Sequence, residues 1–240
     1  RLVSNTKFDK LFDFNKNLFS IGYDCENNQL TNSYYDLIAS ESRITSLIAI
    51  LTKQVPADHW YKLSRTYTLY NKHRSLASWS GTMFEYFMPS LIMKTYPYSI
   101  FDETYHSVIT SQKNYGKLKN KPWGVSESSY YFFDLDLNYQ YKAFGVPNIG
   151  FKRGLINDYV VSPYSSYFAL NFDKKSSLDN LDKLRNEGAE GIYGLYEAID
   201  YTRERIGNSV DKKIVQSYMA HHLGMSLLSI NNFLNDNIIE

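Results

Sequence analysis

The chain has 240 residues, which at roughly 150 residues per domain is one large domain or a part of one. With 43% hydrophobic and 21% charged residues it has ordinary globular composition, which excludes a mini-protein and intrinsic disorder. Lys plus Arg number 26 against 25 for Asp plus Glu, a net charge of +1, so no basic surplus exists to neutralise phosphates and no nucleic-acid partner is expected. The single cysteine, Cys25, cannot form an internal disulfide and suits a reducing compartment, so the expected location is cytoplasmic. No apolar run approaches the ~18 residues that cross a bilayer, and no membrane contact is expected of this segment. The chain opens at Arg1 without an initiator methionine or a signal sequence, as expected of a piece of a longer protein, which itself could sit in an inner membrane. Aromatic residues make up 16%, and 22 of them are Tyr. Tyrosines offer flat apolar faces with a polar tip, which suits core packing and also suits sugar rings.

Taken in chain order, helical periodicity dominates. Thr6 to Phe19 reads as a first helix. Tyr35 to Lys53 places Leu37, Ile44, Ile48 and Leu51 on one stripe, stopped by Val55-Pro56. Ser80 to Tyr96 follows, with Pro89 predicting a kink or a later start. Further helices are predicted over Ile100 to Tyr115, Ser162 to Phe172 with Pro163 in its first turn, Ser176 to Glu187 with Ser176 as cap, and Val210 to Leu234. The connections Asn114 to Arg153 and Gly188 to Arg205 carry Gly, Pro, Trp and carboxylates and read as long functional loops. About seven helices with no βαβ rhythm predict an all-α domain of stacked helical hairpins.

Four sets of carboxylates stand out. Glu41, four residues after Leu37 and three before Ile44, falls on the apolar stripe of its predicted helix. A charge there must be paired, hydrogen-bonded, protonated or open to a wet cavity, and an internal salt bridge with an Arg is the plainest explanation. Trp123-Gly124-Val125-Ser126-Glu127-Ser128 reads as a loop with an exposed aromatic plate and a carboxylate between hydroxyls; it fits a sugar subsite, although from local sequence alone a helix cap is the plainer reading. Glu85 follows Trp79-Ser80-Gly81-Thr82-Met83-Phe84, and Glu197 with Asp200 lies among Tyr193, Tyr196 and Tyr201. Paired carboxylates among aromatics are what glycoside chemistry requires, one protonated and one ionised.

Other motifs fail on spacing. His221-His222 are adjacent and diverge by about 100° on a helix, whereas helical zinc pairs use i and i+4, so no metal is expected. Gly145-Val146-Pro147-Asn148-Ile149-Gly150 has Phe151 where a phosphate loop needs Lys. Gly124-Val125-Ser126-Glu127-Ser128 lacks the second glycine of a nucleophile elbow.

Ordered blocks along the chain identify a family resemblance. Tyr35-Asp36-Leu37-Ile38-Ala39-Ser40-Glu41, Val55-Pro56, His59-Trp60, Ser78-Trp79-Ser80-Gly81-Thr82-Met83-Phe84-Glu85-Tyr86 and Pro122-Trp123-Gly124-Val125-Ser126-Glu127 resemble the glycoamylase-like domain of cyclic β-1,2-glucan synthases. Tyr139-Gln140-Tyr141-Lys142-Ala143-Phe144-Gly145-Val146-Pro147, Lys152-Arg153-Gly154-Leu155, Tyr196-Glu197-Ala198-Ile199-Asp200-Tyr201-Thr202 and Ser217-Tyr218-Met219-Ala220-His221-His222 continue it in order. The similarity runs from about Phe12 to Asn232. Leu223 stands where the family pattern has Gln, and Asn148 where it has Gly.

The resemblance implies a single domain over residues 1–240 with an (α/α)6 toroid, incomplete here because about seven helices fall short of twelve. It also implies a carbohydrate cavity at the helix ends, no metal or organic cofactor, and covalent membership of a larger multidomain synthase. The implied partner is a β-1,2-glucan oligosaccharide or polysaccharide, and the implied activity is that of a retaining transglycosylase that cleaves and transfers its chains. An endo-β-1,2-glucanase and a non-catalytic carbohydrate-binding helical scaffold are the alternatives. Glu41, favoured in its protonated form by the apolar stripe, is the expected general acid/base. Glu127, among hydroxyl donors, is the expected nucleophile. Their carboxyls are expected about 5 to 5.5 Å apart for retention or about 6.5 to 9.5 Å for inversion, and further apart if a substrate hydroxyl relays the proton. Trp79, Glu85, Trp123, Arg153, Tyr196, Glu197, His221 and His222 are the expected substrate-binding residues.

Overall fold

The structure is a computed structural model that describes residues 5–70 and 73–239. It divides into two units, Arg1–Thr66 and Tyr67–Glu240. The all-α expectation is corrected by it. Among the described residues the helices alternate with fourteen short strands in six small sheets. Most of these strands are two to four residues long, and the longest, Ser128–Phe133, has six. Runs that short carry too few positions for an alternating pattern to register beside the 3.6-residue one.

In the first unit, the helix expected over Thr6 to Phe19 is a single 3-10 turn, Asp9–Leu11, followed by an antiparallel pair, Phe12–Asp13 with Leu18–Ser20. Tyr34–Tyr35 extends that pair to three strands. The predicted helix over Tyr35 to Lys53 begins only at Arg43 and ends at Leu51. Non-local backbone pairing takes the residues before it: Ile38 N donates to Ser64 O at 3.1 Å and Ser64 N to Asp36 O at 2.7 Å. Burial is also not on the predicted stripe. The helix buries Arg43, Ser46 and Ala49, while Leu51 is exposed. Phe12, Phe19, Ala49 and Val55 form the core here. His59, fully buried, is wedged edge-on between Phe12 and Phe19. Its ring nitrogens meet Asn17 O at 2.9 Å and Ser46 Oγ at 2.8 Å, and burial holds the imidazole below its ordinary pKa.

In the second unit the helix predicted from Ile100 is present and runs 20 residues, Ile100–Lys119. Ser99 caps its start, and Asn120 ends it in the left-handed region. Three of the other predicted helices are shorter. Ser80 to Tyr96 becomes Met83–Phe87 plus a 3-10 turn, Met88–Leu91, with Pro89 at the break. Ser162 to Phe172 becomes Tyr164–Phe168. Ser176 to Glu187 is helical throughout, as Lys174–Leu184 continued by a π-helical turn over Arg185–Ala189, but its cap is Asp173, whose side chain accepts from Ser176 N. Val210 to Leu234 keeps a helix only over Ala220–Leu234, because Lys213–Val215 pairs with Ala198–Asp200 as the edge of a three-stranded sheet. Val160–Val161 lies on the other side of Ala198–Asp200.

The two regions expected as loops contain hairpins. Ser128–Phe133 pairs with Tyr139–Lys142, and Glu190–Gly191 with Gly194–Leu195. Three hairpin turns in the chain share one device. Asp13, Asp24 and Asp134 each accept two backbone N–H groups within the next four residues. Asn17, Asn28 and Leu137 take positive φ of 56°, 52° and 63° near the ends of those turns. Hydrogen bonds to the ionised side chain hold all three aspartates below the usual carboxylate range.

Candidate active site

The Glu127 loop is fixed through its backbone. Two buried carboxamides each form a reciprocal pair with one of its residues. Val125 N donates to Gln112 Oε1 at 2.9 Å while Gln112 Nε2 donates to Val125 O at 2.8 Å. Trp123 N donates to Asn180 Oδ1 at 3.1 Å while Asn180 Nδ2 donates to Trp123 O at 2.8 Å. Gln112 comes from the Ile100–Lys119 helix and Asn180 from the Lys174–Leu184 helix. Gly124, between these anchors, has φ 114°, and a Cβ there would lie 3.1 Å from Ser165 Cβ and 3.4 Å from Ser162 O. Only glycine fits that approach without strain. At the far end, Tyr164 Oη donates to Glu127 O at 2.8 Å. Ser126 Oγ lies 2.6 Å from that same hydroxyl and accepts from Phe84 N at 3.0 Å.

From Ser128 the chain becomes a strand, and strand geometry decides what meets Glu127. Ser129 pairs with Tyr141 across the hairpin. The two-residue period puts Glu127 and Ser129 on one face, with Tyr141 diagonal to Glu127. Tyr141 Oη donates to Glu127 Oε1 at 3.0 Å. The hairpin is in turn tied to the neighbouring sheet by two carboxylates. Ser129 N donates to Glu197 Oε1 at 3.2 Å, and Tyr131 N to Asp200 Oδ2 at 3.2 Å. Asp200, fully buried, is held bidentate by Arg205 at 2.8 and 3.0 Å. Arg205 also pairs with Asp158, which takes Lys142 Nζ at 2.6 Å. Burial works against the Asp158 charge, yet these two cations hold its carboxyl below the usual range.

A continuous polar chain results. Glu197, buried, meets His222 Nδ1 at 2.9 Å; His222 Nε2 lies 3.3 Å from Tyr141 Oη; and Tyr141 reaches Glu127. The His222 ring packs at 4.0 Å, centroid to centroid, on Tyr164. Burial first, then the Glu127 charge, push the Tyr141 hydroxyl well above its ordinary pKa, so it stays a donor. Glu127 itself is half-buried.

Beside this chain is a cleft of about 330 Å³, walled by Tyr164, Tyr167, Tyr193, Tyr196 and Tyr218, with Glu197 and His222 at its polar side. Such a volume with aromatic walls and few polar groups is the composition of a small-ligand site. The rings of Tyr196 and Tyr218 lie 5.2 Å apart, and Gly191 backs them so closely that a Cβ there would fall 2.4 Å from Tyr196 Cζ.

The structure therefore brings together Glu127, Glu197 and His222, with Tyr196 in the adjoining cleft. Each of the other expected residues has its own surroundings. Glu85 is buried and closes its own turn, accepting from Ser78 Oγ at 2.8 Å, Ser80 N at 2.9 Å and Thr82 N at 3.2 Å in a capping box. Burial raises its carboxyl pKa against the pull of these donors. Trp123, expected as an exposed plate, is only 7% exposed, because its backbone is tied to Asn180. Trp79 is 61% exposed and Arg153 is exposed beside a separate hollow with Lys142, Lys152 and Arg205. His221 is exposed and meets Phe84 edge-on. Glu41 belongs to the first unit and lies in the turn before the Arg43–Leu51 helix, not on a helical stripe. Ser40 Oγ donates to its Oε2 at 3.2 Å. Among the described residues no three His, Cys, Asp or Glu side chains cluster to hold a metal. Tyr141, Tyr164 and Tyr218 were not singled out from the sequence. The alternation in Tyr139-Gln140-Tyr141 was the available signal for the first.

The polar chain thus ends on a half-buried carboxylate beside a tyrosine-walled cleft, and the fold around it has solved counterparts. An endo-β-1,2-glucanase from Chitinophaga pinensis, solved with sophorotriose and glucose, matches 99% of this chain and 58% of its own at a TM-score of 0.74 and 15% identity. An endo-β-1,2-glucanase from Talaromyces funiculosus, solved with sophorose, matches 98% of this chain and 52% of its own at 0.66 and 16%. At those identities the likeness is one of fold. Residues 33–240 match the Glycoamylase family, described as "Putative glucoamylase", and the chain belongs to that family. It is also 44% identical over 225 residues to the cyclic β-(1,2)-glucan synthase NdvB of Rhizobium meliloti (strain 1021), a match covering 94% of this chain and 8% of that protein.

Proposed function

We propose that this chain is a glucan-processing segment of a cyclic β-1,2-glucan synthase-like protein, cleaving β-1,2-linked glucose chains and transferring the freed end to another chain. The carrying observation is the 44% identity across 225 residues with such a synthase. The likeness in fold to two endo-β-1,2-glucanases supports the same substrate class, and keeps hydrolysis as the second reading.

In the proposed reaction the Glu127 carboxylate attacks the anomeric carbon of one glucose unit. The bond to O2 of the next glucose breaks, and that oxygen takes a proton from the general acid, the role proposed for Glu41. A glycosyl ester on Glu127 remains. The 2-hydroxyl of an acceptor chain, losing its proton to the same acid/base group, attacks the ester carbon and frees Glu127; water in that place gives hydrolysis. The tyrosine faces of the cleft suit stacking against sugar rings, with Glu197 and His222 at hand for hydroxyls.

The test is to incubate the intact protein with linear β-1,2-glucan and follow chain lengths by mass spectrometry. Redistribution to both longer and shorter chains is expected for transfer, and shortening alone for hydrolysis. An unchanged distribution would remove the proposal.

A further inference from the structure

Resting on that reading, the polar chain behind Glu127 carries a more specific conclusion. Its direction follows from counting protons. Tyr141 has one hydroxyl hydrogen, and Glu127, as an ionised carboxylate, can only accept; the 3.0 Å contact therefore uses that hydrogen. The Tyr141 oxygen is then an acceptor toward His222 Nε2, 3.3 Å away, which must carry a hydrogen. His222 Nδ1 faces the buried carboxyl of Glu197 at 2.9 Å, sharing one proton with it. Every donor after Glu197 thus points toward Glu127, and only one of the two Glu127 oxygens is taken. Among the described residues Oε2 accepts no hydrogen bond.

We infer that Tyr141 is the positioning residue of the Glu127 carboxylate, and that the buried His222–Glu197 pair acts on that carboxylate through Tyr141, by fixing its hydroxyl. The arrangement suits a group that alternates between carboxylate and ester. Tyr141 grips Oε1 of the free carboxylate, leaving Oε2 to form the bond to carbon. In the ester Oε1 is a neutral carbonyl oxygen and its hydrogen bond weakens; when the acceptor displaces the sugar, the charge returns and the charge-assisted bond is regained. In that second step the charge on Oε1 grows from the ester toward the transition state, so the Tyr141 bond favours release of the sugar, and its removal should slow that step and fall on kcat rather than KM.

The site also explains why the pair is buried. Glu197 N is pinned by Ser217 O at 2.9 Å and Glu197 O by Ser162 Oγ at 2.6 Å, while the Tyr164 ring covers one face of the imidazole. His222 has no freedom to swing away from Tyr141.

The experiment is a double-mutant cycle in the intact protein on linear β-1,2-glucan. Tyr141→Phe, which keeps the ring, should lower kcat by about 10- to 100-fold with KM within about threefold. His222→Asn alone should lower kcat, but in the Tyr141→Phe background it should change kcat by less than about twofold. Tyr141→Phe retaining kcat within about twofold of wild type overturns the inference, as does His222→Asn costing its full factor in the Tyr141→Phe background. Should His222→Asn not fold, the kcat and KM of Tyr141→Phe alone decide the matter. An active wild type with an unaffected Tyr141→Phe sinks only this inference; a wild type that leaves the glucan unchanged sinks the proposed function with it.

Discussion

The turn that carries Glu85 and the loop that carries Glu127 are built from the same materials and put their carboxylates to opposite use. Each acid follows small hydroxyl residues, Ser78, Ser80 and Thr82 in one case and Ser126 in the other, and each has Trp and Tyr nearby. Around Glu85 the donors converge on the carboxylate itself, and it is 9% exposed. Around Glu127 they converge on the backbone: Gln112 holds Val125, Asn180 holds Trp123, and Tyr164 holds the Glu127 carbonyl. A carboxylate is available for chemistry when the bonds that fix it go to the main chain and leave its own oxygens open. The same hydroxyl-rich neighbourhood otherwise turns the acid into a cap.

Two substitutions sharpen that comparison, in order of expected size. Glu85→Ala should lower unfolding stability by about 3 kcal/mol, since it strands the buried N–H groups of Ser80 and Thr82 together with the cap. Denaturant unfolding would read it, and a loss under about 1 kcal/mol would mean that the turn does not depend on its carboxylate. Gln112→Ala should cost about 2 kcal/mol by unpairing Val125 N–H and C=O. Because those bonds hold the loop two residues before Glu127, kcat on linear β-1,2-glucan should fall severalfold as well. A stability loss with kcat unchanged would show that the loop keeps its shape without the clamp.

The difference between the two regions also marks what could be read from the sequence. Ser80-Gly81-Thr82 before Glu85 carries the spacing of a capping box, Thr82 to Glu85, that the aromatic company of the segment obscured. The family resemblance was legible because it rests on ordered blocks spread along the chain, and the Ile100–Lys119 helix because twenty residues show their period. The Glu41 stripe was not sound. Its geometry assumes a helix from Tyr35, and pairing of Asp36 and Ile38 with Ser64 delays the helix to Arg43. Strand pairing is a contact between distant residues, and no local window contains it. The hairpins were still signalled by Asp13, Asp24 and Asp134, each with Asn four residues later. Tyr141 reaches Glu127 only through the Ser129–Tyr141 register, which the sequence does not state.

The most direct measurement compares turnover per folded molecule of wild type, Glu127→Gln and Glu85→Gln on linear β-1,2-glucan, with the folded fraction of each taken from circular dichroism. If Glu127 is the reacting carboxylate and Glu85 a cap, Glu127→Gln should fold as wild type does and lose on the order of a thousandfold in kcat or more, whereas Glu85→Gln should lose stability and keep the turnover of its folded fraction. Turnover of Glu127→Gln within about tenfold of wild type, or an equal loss in folded Glu85→Gln, would contradict the account.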